Sequence, residues 1–219
     1  MQSNLVKSAL AGAALLACAS AHSDDRGWYA SAVFGANLLG DQDAQYQSGT
    51  ASGSAERSFD TSIAAGGTFG YEFGNQWRGE LELMYRRNEQ SDPVTIDGLG
   101  SFDDGDFASL AITASALYDF NWFSDPNITT YVGAGIAFIQ EIDIDFETAG
   151  TETSFETDDI GLQLQAGARY RLGERWFVDA GVRYLIASDV ELELPADSSQ
   201  TVTSDYDPLT LSVAVGWRF

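Results

Sequence analysis

Cysteine, lysine and histidine each occur once in this chain, at Cys18, Lys7 and His22, and all three lie at the extreme N-terminal end. Everything after that end therefore can form no disulfide, offers no thiolate or imidazole to a metal, and has no histidine to serve as a general base. No serine has a plausible base beside it, and phosphate-binding glycine loops, dinucleotide fingerprints and metalloprotease spacings are all missing. Proline is scarce, with four in 219 residues. From Asn88 through Ala168 there is not one basic residue, although acids occur throughout. After the N-terminal segment no apolar run approaches the length of a membrane helix, which excludes a helical span but not a membrane strand.

The N-terminal segment has the layout of an export signal. Met1 to Lys7 is a short basic region, Ala9 to Ala17 is apolar, and Ala19-Ser20-Ala21 forms an A-x-A cleavage site ahead of His22. The expected domain division is a signal peptide over 1–21 and a single domain over 22–219. Leu15-Leu16-Ala17-Cys18 also resembles a lipobox, in which Cys18 would carry lipid, so the two processing routes stand side by side. Cleavage after Ala21 leaves ten arginines against 33 acids, hence a net charge of −23. Such a chain repels nucleic acid and draws divalent cations.

The final stretch, PLTLSVAVGWRF, shows the pattern that organises the rest. Leu209, Leu211, Val213, Val215, Trp217 and Phe219 alternate with Thr210, Ser212, Ala214, Gly216 and Arg218, the period of two of a β-strand with one apolar face. Seven earlier segments repeat it, near 28–38, 59–73, 77–85, 107–120, from 128, 160–172 and from 176. In the third, for example, Trp77, Leu81, Leu83 and Tyr85 oppose Arg78, Glu80, Glu82 and Met84. Short connections at 74–76, 121–127 and 173–175 alternate with long polar stretches near 40–58, 88–106, 147–157 and 195–207. An even strand count with connections segregated by length predicts an all-β fold: an eight-stranded antiparallel transmembrane up-and-down β-barrel. Trp28, Trp77, Trp122, Trp176 and Trp217 all adjoin the short turns or the termini, as an interfacial aromatic belt would, which assigns the short turns to the periplasm and the long acidic loops to the outside.

With its export signal, the Tyr131-Val132-Gly133-Ala134-Gly135-Ile136 run and the terminal Gly216-Trp217-Arg218-Phe219, the chain resembles the small outer-membrane barrels of the OmpA-like and OmpW-like type, including the "porin family" surface proteins of Gram-negative bacteria. The resemblance covers essentially all of the exported part. It implies outer-membrane localisation, contact with outer-membrane lipid and lipopolysaccharide, and recognition of Trp217 and Phe219 by the barrel-assembly machinery. The pattern stops at strand eight, so the peptidoglycan-binding domain of full-length OmpA relatives is not expected.

Eight strands enclose a space that side chains just fill. The alternation points Glu72, Glu80, Glu82, Asp119 and Asp179 inward with Arg78, Arg86, Arg169, Arg171, Arg183 and Arg218, nearly balanced charge inside a very acidic chain. Arginine suits this place because its planar fork satisfies several carboxylate oxygens at once. Two readings follow: a salt-bridged plug that rigidifies the barrel, or a charged constriction along a narrow solute path. Continued alternation in the fifth and seventh segments places Glu141, Asp143, Asp145, Asp189, Glu191 and Glu193 at an acidic rim, read either as a solvated face or as a weak calcium site. No other cofactor is expected. The functional expectation is a non-enzymatic, monomeric integral outer-membrane barrel with a structural or surface-interaction role, with a host or matrix protein as a possible partner. Its alternative is a narrow channel for small or hydrophobic solutes.

Overall fold

The computed structural model describes residues 26–40, 42–48, 51–57, 59–89, 94–96, 100–102, 104–148, 151–194 and 197–219, with side chains at 26–40, 59–88, 108–139, 159–187 and 206–219. The expected signal peptide, with Cys18 and His22, lies outside these residues. The strands in chain order are β1 (Arg26–Leu38), β2 (Gln42–Ser48), β3 (Ala51–Arg57), β4 (Ser62–Phe73), β5 (Trp77–Glu89), β6 (Val94–Ile96), β7 (Gly100–Phe102), β8 (Asp104–Phe120), β9 (Ile128–Thr148), β10 (Thr151–Leu172), β11 (Trp176–Leu194), β12 (Asp197–Tyr206) and β13 (Leu209–Arg218).

Eight of them close a barrel. The order is β10-β9-β8-β5-β4-β1-β13-β11, and β11 pairs back to β10, so every wall strand has two neighbours and the barrel has no edge. All pairings are antiparallel, including that of the first wall strand with the last, from Tyr29↔Arg218 to Leu38↔Leu209. At one end the wall strands are joined by 74–76, 121–127 and 173–175.

The alternation sorts the two faces as a membrane requires, with polar groups inside and apolar groups outside. Phe34, Ile63, Leu81, Leu83, Ile112, Val132, Ile136, Phe138, Leu162, Leu164, Leu211, Val213 and Val215 are exposed on the outer surface. The tryptophans collect at the turn end in ring contacts. Trp28 stacks on Phe69 at 5.0 Å and tilts against Tyr71 at 4.8 Å, Trp77 meets Tyr118 at 5.2 Å, and Trp176 meets Trp217 edge-on at 4.6 Å. Phe219 completes this end: its N–H donates to Trp28 O at 2.9 Å, which ties the last residue to the first wall strand.

At the opposite end the structure differs from the sequence expectation. The stretch near 147–157 is not a loop: β9 and β10 pair continuously from Thr151↔Thr148 to Thr157↔Ile142. The stretches near 40–58 and 195–207 hold β2, β3 and β12: β12 pairs with β11 on one side and β2 on the other, and β2 pairs with β3. Polarity marks loops only where one strand face must be buried. Above a bilayer both faces are wet, so Thr- and Glu-rich segments pair as well as apolar ones. The 21 residues of β9 and 19 of β11 far exceed the roughly 9–11 that a tilted strand needs to cross the hydrocarbon.

Register shifts accompany this extension. One separates Leu110↔Glu141 from Ala111↔Ile139, and another separates Ala187↔Tyr206 from Val190↔Ser204. Each inserts one residue, so the odd–even alternation read from Val132 and Val178 onward does not run unbroken to the strand tips.

Candidate functional site: the charged lumen and its turn-side mouth

Inward positions of β4, β5, β8, β10, β11 and β13 bring the charged side chains together in two layers. Nearer the turns, Arg78 Nε donates to Asp119 Oδ1 at 2.9 Å and Arg78 Nη1 to the Tyr29 hydroxyl at 3.2 Å, while that hydroxyl donates to Glu80 Oε2 at 2.7 Å. Across the lumen Arg169 bridges Asp179 and Glu72, each at 3.2 Å, Arg218 closes on Glu72 at 2.6 Å, and Tyr131 donates to Asp179 at 2.6 Å. The guanidinium of Arg169 also lies 3.9 Å from the ring centre of Phe177 and 4.5 Å from that of Tyr29, so both its edge and its face are used.

The second layer sits farther along the strands and centres on Glu82. Its Oε2 takes Arg183 Nε at 2.6 Å, its Oε1 takes Gln163 Nε2 at 3.0 Å, and Arg86 Nη2 stands 4.0 Å away. Arg86 donates to Gln163 Oε1 at 3.0 Å and Thr210 Oγ1 at 3.2 Å, and Arg183 to Ser212 Oγ. Thr210 hands on to Asn37 at 2.7 Å, and Asn37 to Asn88 at 2.6 Å. Arg78 and Arg86 are among the largest side chains buried below 2 % exposure, in company with Tyr29, Phe177, Met84, Leu117 and Tyr206. In a buried, interlocked set of this kind, taking one member out leaves its partner charged and dry.

Glycines let the lumen aromatics lie flat on the wall. A Cβ at Gly70 would run into the Tyr29 ring, and one at Gly216 into the Phe177 ring. Tyr29, Tyr131 and Phe177 escaped the sequence reading, which attended to charges. Their signal was there in the parity, since Tyr29 alternates with the outward Trp28 and Phe177 with the outward Trp176.

Of the eleven charged residues expected inside, ten join the two layers. Arg171 does not: it stands at the turn-side mouth, half-buried, with Nη2 3.4 Å from Pro126 O. It makes no ion pair among the described residues: its inward position is the last before the turn, and the two acids of the mouth, Glu72 and Asp119, are taken by Arg169, Arg218 and Arg78. The mouth is a cavity of about 230 Å³ lined by Glu72, Gln76, Asp119, Asn121, Arg169 and Arg171, among others. At the far end, the backbones of Glu141, Asp143, Asp145, Asp189, Glu191 and Glu193 lie in β9 and β11, and their side chains lie outside the described residues. The register shifts below them interrupt the alternation from which a common inward aim was read.

A closed antiparallel barrel with an apolar exterior, an aromatic belt and an ion-paired interior defines an integral outer-membrane β-barrel protein. The family model described as outer membrane protein beta-barrel domain matches residues 8–219, and the chain belongs to that family. Among curated proteins it is 30 % identical over 129 residues to outer membrane protein W of Vibrio cholerae, covering 55 % of this chain and 58 % of that one. It is 29 % identical over 128 residues to outer membrane protein AlkL of Ectopseudomonas oleovorans, covering 57 % and 52 %. Against Protein opa of Haemophilus influenzae the identity is 30 % over 119 residues, covering 52 % and 79 %. The match thus spans just over half the length of the first two relatives. Of solved structures, OprG from Pseudomonas aeruginosa superposes with a TM-score of 0.66 at 20 % identity, over 90 % of this chain and 97 % of that one. AlkL in lipid bilayers gives 0.54 at 20 %, over 92 % and 94 %. These superpositions speak for the fold, and the relatives together place the chain in the outer membrane.

Proposed function

We propose that the protein is a plugged outer-membrane barrel whose spanning part is a rigid anchor and whose role, structural or in surface interaction, is carried by the strands that extend beyond the membrane. The observation that carries this is the double layer of arginines and carboxylates across the lumen. In this reading the short turns face the periplasm and the extended strands face outward, toward lipopolysaccharide and host or matrix proteins. The barrel acts as a monomer, needs no cofactor, and performs no catalysis: each lumen carboxylate of the two layers is committed to an arginine or a tyrosine, so none of those acids is free to serve as a general base.

Support for the alternative, a narrow channel for small or hydrophobic solutes, comes from the wall. Pairing of β10 with β11 shifts register between Leu162↔Ile186 and Glu156↔Glu193, an irregularity in the wall above the two charged layers. Planar-bilayer recording separates the two readings. The plugged anchor gives no stepwise conductance at neutral pH, and regular ohmic steps proportional to protein added would overturn it.

A further inference from the structure

We propose that the turn-side mouth is a binding site for a small anionic group of the carboxylate or phosphate class, with Arg171 as its principal ligand. The pairing of the inward arginines at this end carries the inference. Of four that face the lumen, three are neutralised there: Arg78 by Asp119 at 2.9 Å, Arg169 by Asp179 and Glu72 at 3.2 Å, and Arg218 by Glu72 at 2.6 Å. Arg171 is left over. Its guanidinium touches only a carbonyl oxygen, Pro126 O at 3.4 Å, so most of its five N–H donors have no partner among the described residues. The one acid of the adjoining 121–127 turn is committed elsewhere, because Asp125 Oδ1 accepts both the Asn127 backbone N–H at 2.9 Å and Asn127 Nδ2 at 3.0 Å.

Position and surroundings make the spare cation a site. Arg171 N donates to Asn127 O at 2.9 Å, which fixes the root of the side chain at the cavity wall. The cavity, about 230 Å³, also presents Asn121, Thr129 and Gln76, and its two carboxylates, Asp119 and Glu72, are engaged by Arg78 and by Arg169 and Arg218. Gln76 spends its amide oxygen on the Tyr118 hydroxyl at 3.1 Å, so its NH₂ remains as a donor. A planar or tetrahedral anion that takes the fork of Arg171, with the neutral donors of Gln76, Asn121 and Thr129 beside it and the lining carboxylates already paired, matches this chemistry. The volume admits a group of about amino-acid size, well below the roughly 300–1,000 Å³ of larger ligand pockets. Two sources offer such a group at this end of a barrel: the phosphate of a lipid headgroup, or a soluble or polymer-borne carboxylate or phosphate.

The test follows the Arg171 Nε–Hε resonance of the full exported chain, assigned by its loss in Arg171→Gln. In octyl-glucoside micelles, which carry no phosphate, titration with inorganic phosphate and with acetate at constant ionic strength should move that resonance saturably. Followed through the side-chain NH₂ resonances of Gln76 and Asn121, which line the same cavity, the Arg171→Lys variant should bind at least about tenfold more weakly than the native chain, since a point charge cannot replace the fork. In phosphatidylcholine nanodiscs, a resonance already shifted and insensitive to added anion identifies the headgroup as the source. A resonance that still titrates identifies the soluble group. No saturable shift in micelles, or a shift equalled by chloride, overturns the site. Because the readout requires only a folded barrel, it stands apart from the conductance test of the plugged anchor.

Discussion

Arg183→Ala probes the plug at a short, buried ion pair. Arg183 and Glu82 are 2.6 Å apart with their side chains 5 % and 2 % exposed. At that distance the Coulomb attraction is about 6 kcal/mol for an effective dielectric near 20, most of it offset by the cost of drying both groups. Truncating the arginine removes the attraction and keeps the drying cost of Glu82, whose remaining partners are Gln163 at 3.0 Å and Arg86 at 4.0 Å. The expected loss is about 3–5 kcal/mol. Reversible urea unfolding in phospholipid vesicles, followed by tryptophan fluorescence, measures it. The double replacement Glu82→Leu with Arg183→Met removes both charges and keeps the volume, so it should lose much less than the sum of the two single replacements. If Arg183→Ala stays within about 0.5 kcal/mol of the native chain, or the two replacements simply add, the lumen is wet enough to screen the pair and the plug argument fails.

Two further outcomes follow from the wall. Gly216→Ala drives a Cβ into the Phe177 ring and should cost about 1–3 kcal/mol in the same unfolding assay; combining it with Phe177→Leu should recover a good part, and no recovery would mean that the ring contact is not the cause. Replacing Phe219 by Asp should reduce insertion in cells far more than the roughly 1.5–3 kcal/mol of one side chain's burial would suggest; normal surface levels of that variant would remove the case for a terminal assembly signal.

The barrel was legible in the chain because a bilayer imposes a strict rule on each wall residue separately. Phe34, Leu81 and Val213 had to be outside and Arg78, Glu82 and Arg183 inside, so parity alone assigned their faces. The extended strands were less legible. Thr151 to Thr157 read as a loop because its polarity carried no contrast between faces, yet it pairs with 142–148. The one-residue shifts near Gln140 and Ser188 left no compositional mark, and they govern where the acids beyond them stand.

By itself the sequence determined what depends on alternation and composition: eight wall strands, the sorting of apolar and charged faces, and the aromatic belt at the turn end. The tertiary structure decided which charges meet. Glu82 and Arg183 are 101 residues apart in sequence, and Glu72 and Arg169 are 97 apart; only barrel closure and strand stagger set their heights in the lumen, and no local pattern encodes those heights. The same stagger leaves Arg171 at the mouth, where it makes no ion pair among the described residues. A residue's face is a local property of the pleat, whereas its partner across the lumen is a property of the closed sheet.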